Sequence, residues 1–135
     1  MNQQSTRLLI VYNADGGVLN ALMHAVHKAF RPSTYPCSLC AITYGAVSMH
    51  DEWRRFLKSL PMEVVFHHRD DFAETYPGHG VDLPAILLAR GDSSLQVLIS
   101  SSELDRIADT FELMELVEDR LVTESLRAPD LKIVA

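Results

Sequence analysis

The chain has little cysteine or tryptophan. Its 135 residues include only two cysteines and one tryptophan. Two cysteines cannot build the multi-bridge framework of a small secreted domain. Basic residues are outnumbered as well, 12 Lys and Arg against 18 Asp and Glu, for a net charge of -6. A face rich in positive charge is therefore not expected, which argues against a nucleic acid or an anionic membrane surface as partner. No apolar run approaches the roughly 20 residues of a membrane span. The start, Met1 to Arg7, is polar and lacks the apolar core and cleavage site of a secretory signal. There is no G-x-x-x-x-G-K-[ST] to cradle phosphates. What remains is a cytoplasmic protein of one domain. At 47% hydrophobic residues it has enough apolar material for a core.

The apolar pattern predicts an alternation of strands and helices. Leu8 to Tyr12 reads as a strand buried on both faces. Asn13 to Gly17 ends it, and Val18 to Phe30 carries apolar residues at helical spacing. Pro32 and Pro36 bound a loop. Ala41 to Tyr44 suits a short strand or a helix start. Ser48 to Leu60 reads as a helix capped by Ser48, with Asp51 and Glu52 in its first turn and Pro61 beyond. On it Trp53, Phe56, Leu57 and Leu60 share one apolar face. Glu63 to His67 is the next strand, followed by a short helix over Asp70 to Tyr76. Ala85 to Ala89 and Leu95 to Ile99 are two strands joined by a hairpin-like Arg90 to Ser93. Ser100 and Glu103 form a capping box. They open one long helix with Leu104, Ile107, Phe111, Met114, Val117 and Leu121 facing inward. Residues from about 124 to 135 read as a tail.

Cys37-Ser38-Leu39-Cys40 is the segment with the most chemistry. Its C-x-x-C spacing lets two sulfurs close a disulfide or bind one metal. In a reducing compartment such a pair serves redox or metal chemistry more often than as a structural staple. In a redox role Cys37 is the expected nucleophile and Cys40 the resolving thiol. In a zinc site the pair would be joined by His27 and His24, three residues apart on one helix face. An inert pair in an irregular loop is the third reading. His67 and His68 precede two carboxylates, Asp70 and Asp71. They read first as an in-and-out pair before a helix cap at Asp70 or Asp71, and second as an acid-base or metal group. Asp15-Gly16-Gly17 reads as a helix cap before an anion cradle.

The order of strand, helix, strand, hairpin and final helix resembles the thioredoxin-like superfamily. Val81-Asp82-Leu83-Pro84-Ala85-Ile86-Leu87-Leu88 is similar to its apolar, variable, apolar, cis-proline, strand signature. The resemblance covers roughly Glu63 to Leu121. It implies an α/β fold with a central mixed sheet of about four strands flanked by helices. It also implies a cis bond at Leu83-Pro84 and a rim position for Pro84 and His79 beside the active-site loop. The first half departs from the pattern. In thioredoxins the dithiol follows the first core strand, and the matching loop here, Asp15 to Val18, has no cysteine. Cys37 and Cys40 then lie on an insertion of about 31 to 61. The other alignment, in which Cys37 and Cys40 open the active-site helix, puts a poor strand, Arg31 to Pro36, before it. Tyr12-Asn13-Ala14 and Tyr35-Pro36-Cys37-Ser38-Leu39-Cys40 are also similar to a group of small bacterial proteins of unassigned role. These features imply a non-catalytic module binding an unknown protein partner, with the dithiol structural or zinc-bound. A thiol-disulfide oxidoreductase or redox sensor is the alternative.

Overall fold

The computed structural model describes residues 6–13, 38–43, 49–91 and 94–127. Within them the chain forms β1 (Arg7–Val11), α1 (Ser38–Thr43), α2 (Asp51–Ser59), β2 (Glu63–His67), α3 (Arg69–Thr75), β3 (Ala85–Ala89), β4 (Leu95–Ile99), α4 (Ser101–Leu104) and α5 (Thr110–Arg127). The four strands make one mixed sheet in the order β2-β1-β3-β4. β1 runs parallel to β2 and antiparallel to β3, and β3 pairs antiparallel with β4. The molecule is thus α/β, with a four-stranded mixed sheet flanked by helices. The expected helix over Val18 to Phe30 lies outside the described residues.

The sheet orders itself by apolar content. β1 and β3, the central strands, are the two continuous apolar runs; Leu8 to Val11 and all of β3 are buried. β2 and β4 take the edges, and each keeps exposed positions, among them Phe66 and Val97. Side chains alternate across the sheet. Leu8, Ile10, Ile86 and Leu88 share one core with α1, α2, α4 and α5. Leu9, Val11, Leu87 and Ala89 share the other with Phe72 of α3. Between β3 and β4 the register slips by one residue, from Ile86↔Ile99 to Leu87↔Val97, which makes a bulge at Leu98. The hairpin closes through Arg90 N–H to the Ser94 carbonyl at 3.0 Å.

The stretch expected as an insertion contains α1 and α2, and both pack on the core. α1 contributes Leu39 and Ile42, α2 contributes Trp53 and Leu57. α2 starts later than expected. His50 occupies the N-cap position, held by its N–H to the Thr43 carbonyl at 2.9 Å. Asp51 and Glu52 still lie in the first turn and Lys58 in the last, in favourable alignment with the helix dipole.

The end of the chain is two helices where one was expected. Ser100 and Glu103 do form the capping box: Glu103 N–H donates to Ser100 Oγ at 3.3 Å, and Ser100 N–H donates to Glu103 Oε1 at 2.9 Å. The helix they open stops at Leu104. A second start signal follows, in which Asp109 Oδ1 accepts the Glu112 N–H at 2.9 Å and Glu112 Oε1 accepts the Ala108 N–H at 2.8 Å. This restart rotates the helix. Leu113, Val117 and Leu121 enter the core, while Phe111, expected to face inward, is 62% exposed. α5 also continues to Arg127, into the stretch expected as a tail. Arg120 holds the two helices and the sheet together. Its Nη1 donates to the Leu98 carbonyl at 2.8 Å, and its guanidinium pairs with Glu103.

That pairing holds the Glu103 carboxyl down to about 2, chiefly through the hydrogen bond from Arg120 and then that from the Ser100 N–H. Against an ordinary value of about 4.5, folded Glu103 releases its proton more readily than unfolded Glu103. Its contribution to stability is complete above the ordinary value and is lost as the pH falls through about 2. Glu103→Gln cannot titrate. It should be less stable than the wild type at neutral pH, with the gap closing as the pH approaches about 2, as read by urea unfolding across that range.

Trp53 offers a second test. It is fully buried, stacks on Phe56 at 5.8 Å, and its Nε1 has no hydrogen-bond partner among the described residues. Trp53→Phe removes that orphaned donor while losing some packing. The two effects oppose, and the change should stay within about 1.5 kcal/mol. Trp53→Ala leaves a cavity and should cost about 3–5 kcal/mol. Urea unfolding followed by circular dichroism measures both.

Candidate functional site

One end of the sheet gathers the polar side chains. Val11 pairs with His67 on one side and with Ala85 on the other. The carboxyl ends of the parallel strands β1 and β2 therefore meet the amino end of β3. Tyr12 extends the pairing, its N–H donating to the His67 carbonyl at 2.9 Å. The Tyr12 ring is buried, lies parallel to Phe66 at 6.2 Å and is tilted against His68 at 5.9 Å. Pro84 is buried at the head of β3, and the Leu83-Pro84 peptide is cis, the geometry that the resemblance implies there.

Asp71 organises the next shell. α3 begins at Arg69, with His68 at the N-cap position, so the cap is one step earlier than the expected Asp70 or Asp71. Asp71 instead sits in the first turn and reaches back. One oxygen accepts the His68 backbone N–H, and the other lies 2.9 Å from His67 Nδ1. Burial pushes the Asp71 carboxyl up. The His68 N–H, the His67 hydrogen bond and the charges of the two imidazoles together outweigh that and hold it below the ordinary range. Ionised Asp71 can only accept, so His67 donates from Nδ1, and the neutral form of the ring held this way carries its lone pair on Nε2. The ring is packed against Phe72 at 5.6 Å and Tyr76 at 6.1 Å. Such an imidazole is fixed in orientation and tautomer, the preparation that acid-base work or metal ligation requires. The bond from the His68 N–H to Asp71 also caps α3.

Of the expected in-and-out pair, His67 is buried, whereas His68 is half-buried, tilted against the Tyr12 ring and at the N-cap of α3. Sequence reasoning missed Asp71 as the group that joins them. The signal was present in the spacing: a residue four beyond His67 falls back over a strand end once a helix starts between them.

The other expected site residues divide sharply. His79 is half-buried on the Pro77–Gly80 turn, between Gly78 at φ 70° and Gly80 at φ 64°, a conformation that favours glycine. Its Nδ1 accepts the Val81 N–H at 2.9 Å and its ring lies 4.4 Å from Phe72. The side chain is engaged in holding the turn. Cys40 lies on α1, which begins at Ser38. α1 is tied down at its far end by Thr110, whose hydroxyl donates to the Ile42 carbonyl at 2.8 Å. Cys37, His24 and His27 lie outside the described residues, as does the Cys40 side chain. Among the described residues, no group of three or more His, Cys, Asp and Glu side chains is placed to hold a metal ion, and no helix is long and apolar enough to cross a membrane.

No protein-family model, curated protein or solved structure matches this chain.

Asp71→Ala tests the arrangement. It should cost about 1 kcal/mol through the lost cap. It should also lower the Nδ1–H fraction of neutral His67, read from imidazole nitrogen shifts by NMR. A tautomer ratio unchanged from wild type would mean that Asp71 caps the helix without orienting the ring.

Proposed function

We propose that the protein is a thioredoxin-like module that works by binding a protein partner, and that Cys37 and Cys40 form a displaced dithiol with a structural or zinc-binding role. One observation carries this reading. β1 lies between β2 and β3, and its carboxyl end abuts Ala85, next to Pro84. In a thioredoxin-like arrangement the redox loop leaves that strand at that point. Here the residues that follow, Tyr12 to Val18, include no cysteine. The strand order, the directions of pairing and the cis bond before β3 support the fold assignment.

A second reading rests on α1. The helix begins at Ser38, so Cys37 stands immediately before it in the chain and Cys40 lies in its first turn. A thiol at a helix start is the arrangement in which a thiolate is stabilised. That favours a thiol-disulfide oxidoreductase with Cys37 as nucleophile and Cys40 resolving.

Thiol titration separates the two. For the binding module, the native protein should reduce no insulin disulfide, and its thiols should react only on unfolding or after a chelator is added. Stoichiometric zinc by elemental analysis would distinguish a metal-bound pair from a structural one. A Cys37 that alkylates in the native state with a pKa well below the ordinary value of about 8.5 would overturn the binding reading in favour of the enzyme.

A further inference from the structure

The restart of the chain at Asp109 leaves an apolar residue where a surface helix does not need one. Phe111 is 62% exposed, the most exposed of the large apolar side chains on the described surface. Ile107, in the link before α5, and Met114, one turn further along α5, are half-buried and pack on the core. Phe111 therefore extends the core outward as a step. Val122, 48% exposed, stands on the same side of α5 about three turns on, roughly 16 Å away. Between them on that stripe lie Glu115 and Glu118, both exposed.

The charge on this face is of one sign. Glu112 is partly engaged in the start of α5, but among the described residues Glu115 and Glu118 have no ion pair. The single basic residue from Thr110 to Glu124 is Arg120, and Glu103 takes its charge. Apolar anchors at both ends of an acidic stripe make a poor surface for water and a worse one for a second acidic chain. They complement a segment that brings apolar side chains at helical spacing together with lysine or arginine.

We propose that the outer face of α5, with Phe111 and Val122 as anchors and Glu115 and Glu118 between them, docks a cationic amphipathic helix of a partner protein. This deepens the reading of the molecule as a binding module and rests on it. The apolar anchors supply affinity in the complex. The carboxylates select a basic partner and speed its approach, an effect that falls with salt.

The probe is a synthetic helix of leucine and lysine, about 18 residues long so as to span α5. A counterpart with glutamate in place of lysine serves as control. Fluorescence anisotropy of each labelled peptide, titrated with the full chain at low and physiological salt, gives the affinity. The wild type should bind the lysine peptide and not the glutamate one. Phe111→Ser, at an exposed position and checked for folding by circular dichroism, should weaken binding about tenfold or more. Glu115→Gln with Glu118→Gln should weaken it and flatten its salt dependence. Any of three results would overturn the proposal: no binding by the wild type, equal binding of both peptides, or binding indifferent to Phe111. So would a self-associated wild type that Phe111→Ser makes monomeric, since the face would then belong to a second copy. Insulin reduction by the same preparation distinguishes the two levels. Reductase activity with peptide binding intact removes only the non-catalytic reading, whereas lost binding without reductase activity removes only the docking face.

Discussion

The structure depends on one strand being buried on both sides. Leu8, Leu9, Ile10 and Val11 have no exposed surface. A strand in that position needs a hydrogen-bonding neighbour on each edge and a core on each face. β2 and β3 satisfy the edges, and the two apolar clusters satisfy the faces. Removing Leu9 from water favours folding by an amount on the order of 2 kcal/mol. The same holds for each of its neighbours, so moving β1 out of register by one residue would reverse every side chain at once. This constraint also creates the polar end of the sheet. β1 stops between His67 and Ala85, so whatever leaves it departs beside Asp71, His67 and Pro84.

Helix starts set the second level of organisation. His68 and Asp71 open α3, Ser100 and Glu103 open α4, and Asp109 with Glu112 opens α5. Each start satisfies backbone N–H groups that would otherwise lack partners. Each also sets the rotation of the helix that follows. The rotation set at Asp109 is what turns Leu113 inward and Phe111 outward. A local hydrogen bond thus decides which residues form core and which form surface. Arg120 then links the result to the sheet through Leu98 and Glu103.

The strands were legible because their signal is local and redundant. Leu8 to Val11, Ala85 to Ala89 and Leu95 to Ile99 are short, mostly apolar runs with turn residues near their ends, and that length and flanking favour strands over helices. The Ser100 capping box was equally readable. The break after Leu104 is not legible, although Asp109 and Glu112 carry the same signature, because the apolar period continues through Phe111 and Met114. At the candidate site, His67 and His68 were visible as residue types. Their union through Asp71 was not, because it depends on where α3 begins.

The sequence by itself determined the central strands, the hairpin, the Ser100 capping box and the acidic net charge. These follow from side-chain character and spacing over short distances, which do not depend on how whole elements pack. Only the tertiary structure decided that β1 would sit between β2 and β3 and that Asp71 would bridge to His67. It also decided that the last helix would turn Phe111 to solvent. Each of these choices joins groups whose meeting depends on how whole elements pack. The free energy separating the alternatives lies in buried area and satisfied hydrogen bonds across the core.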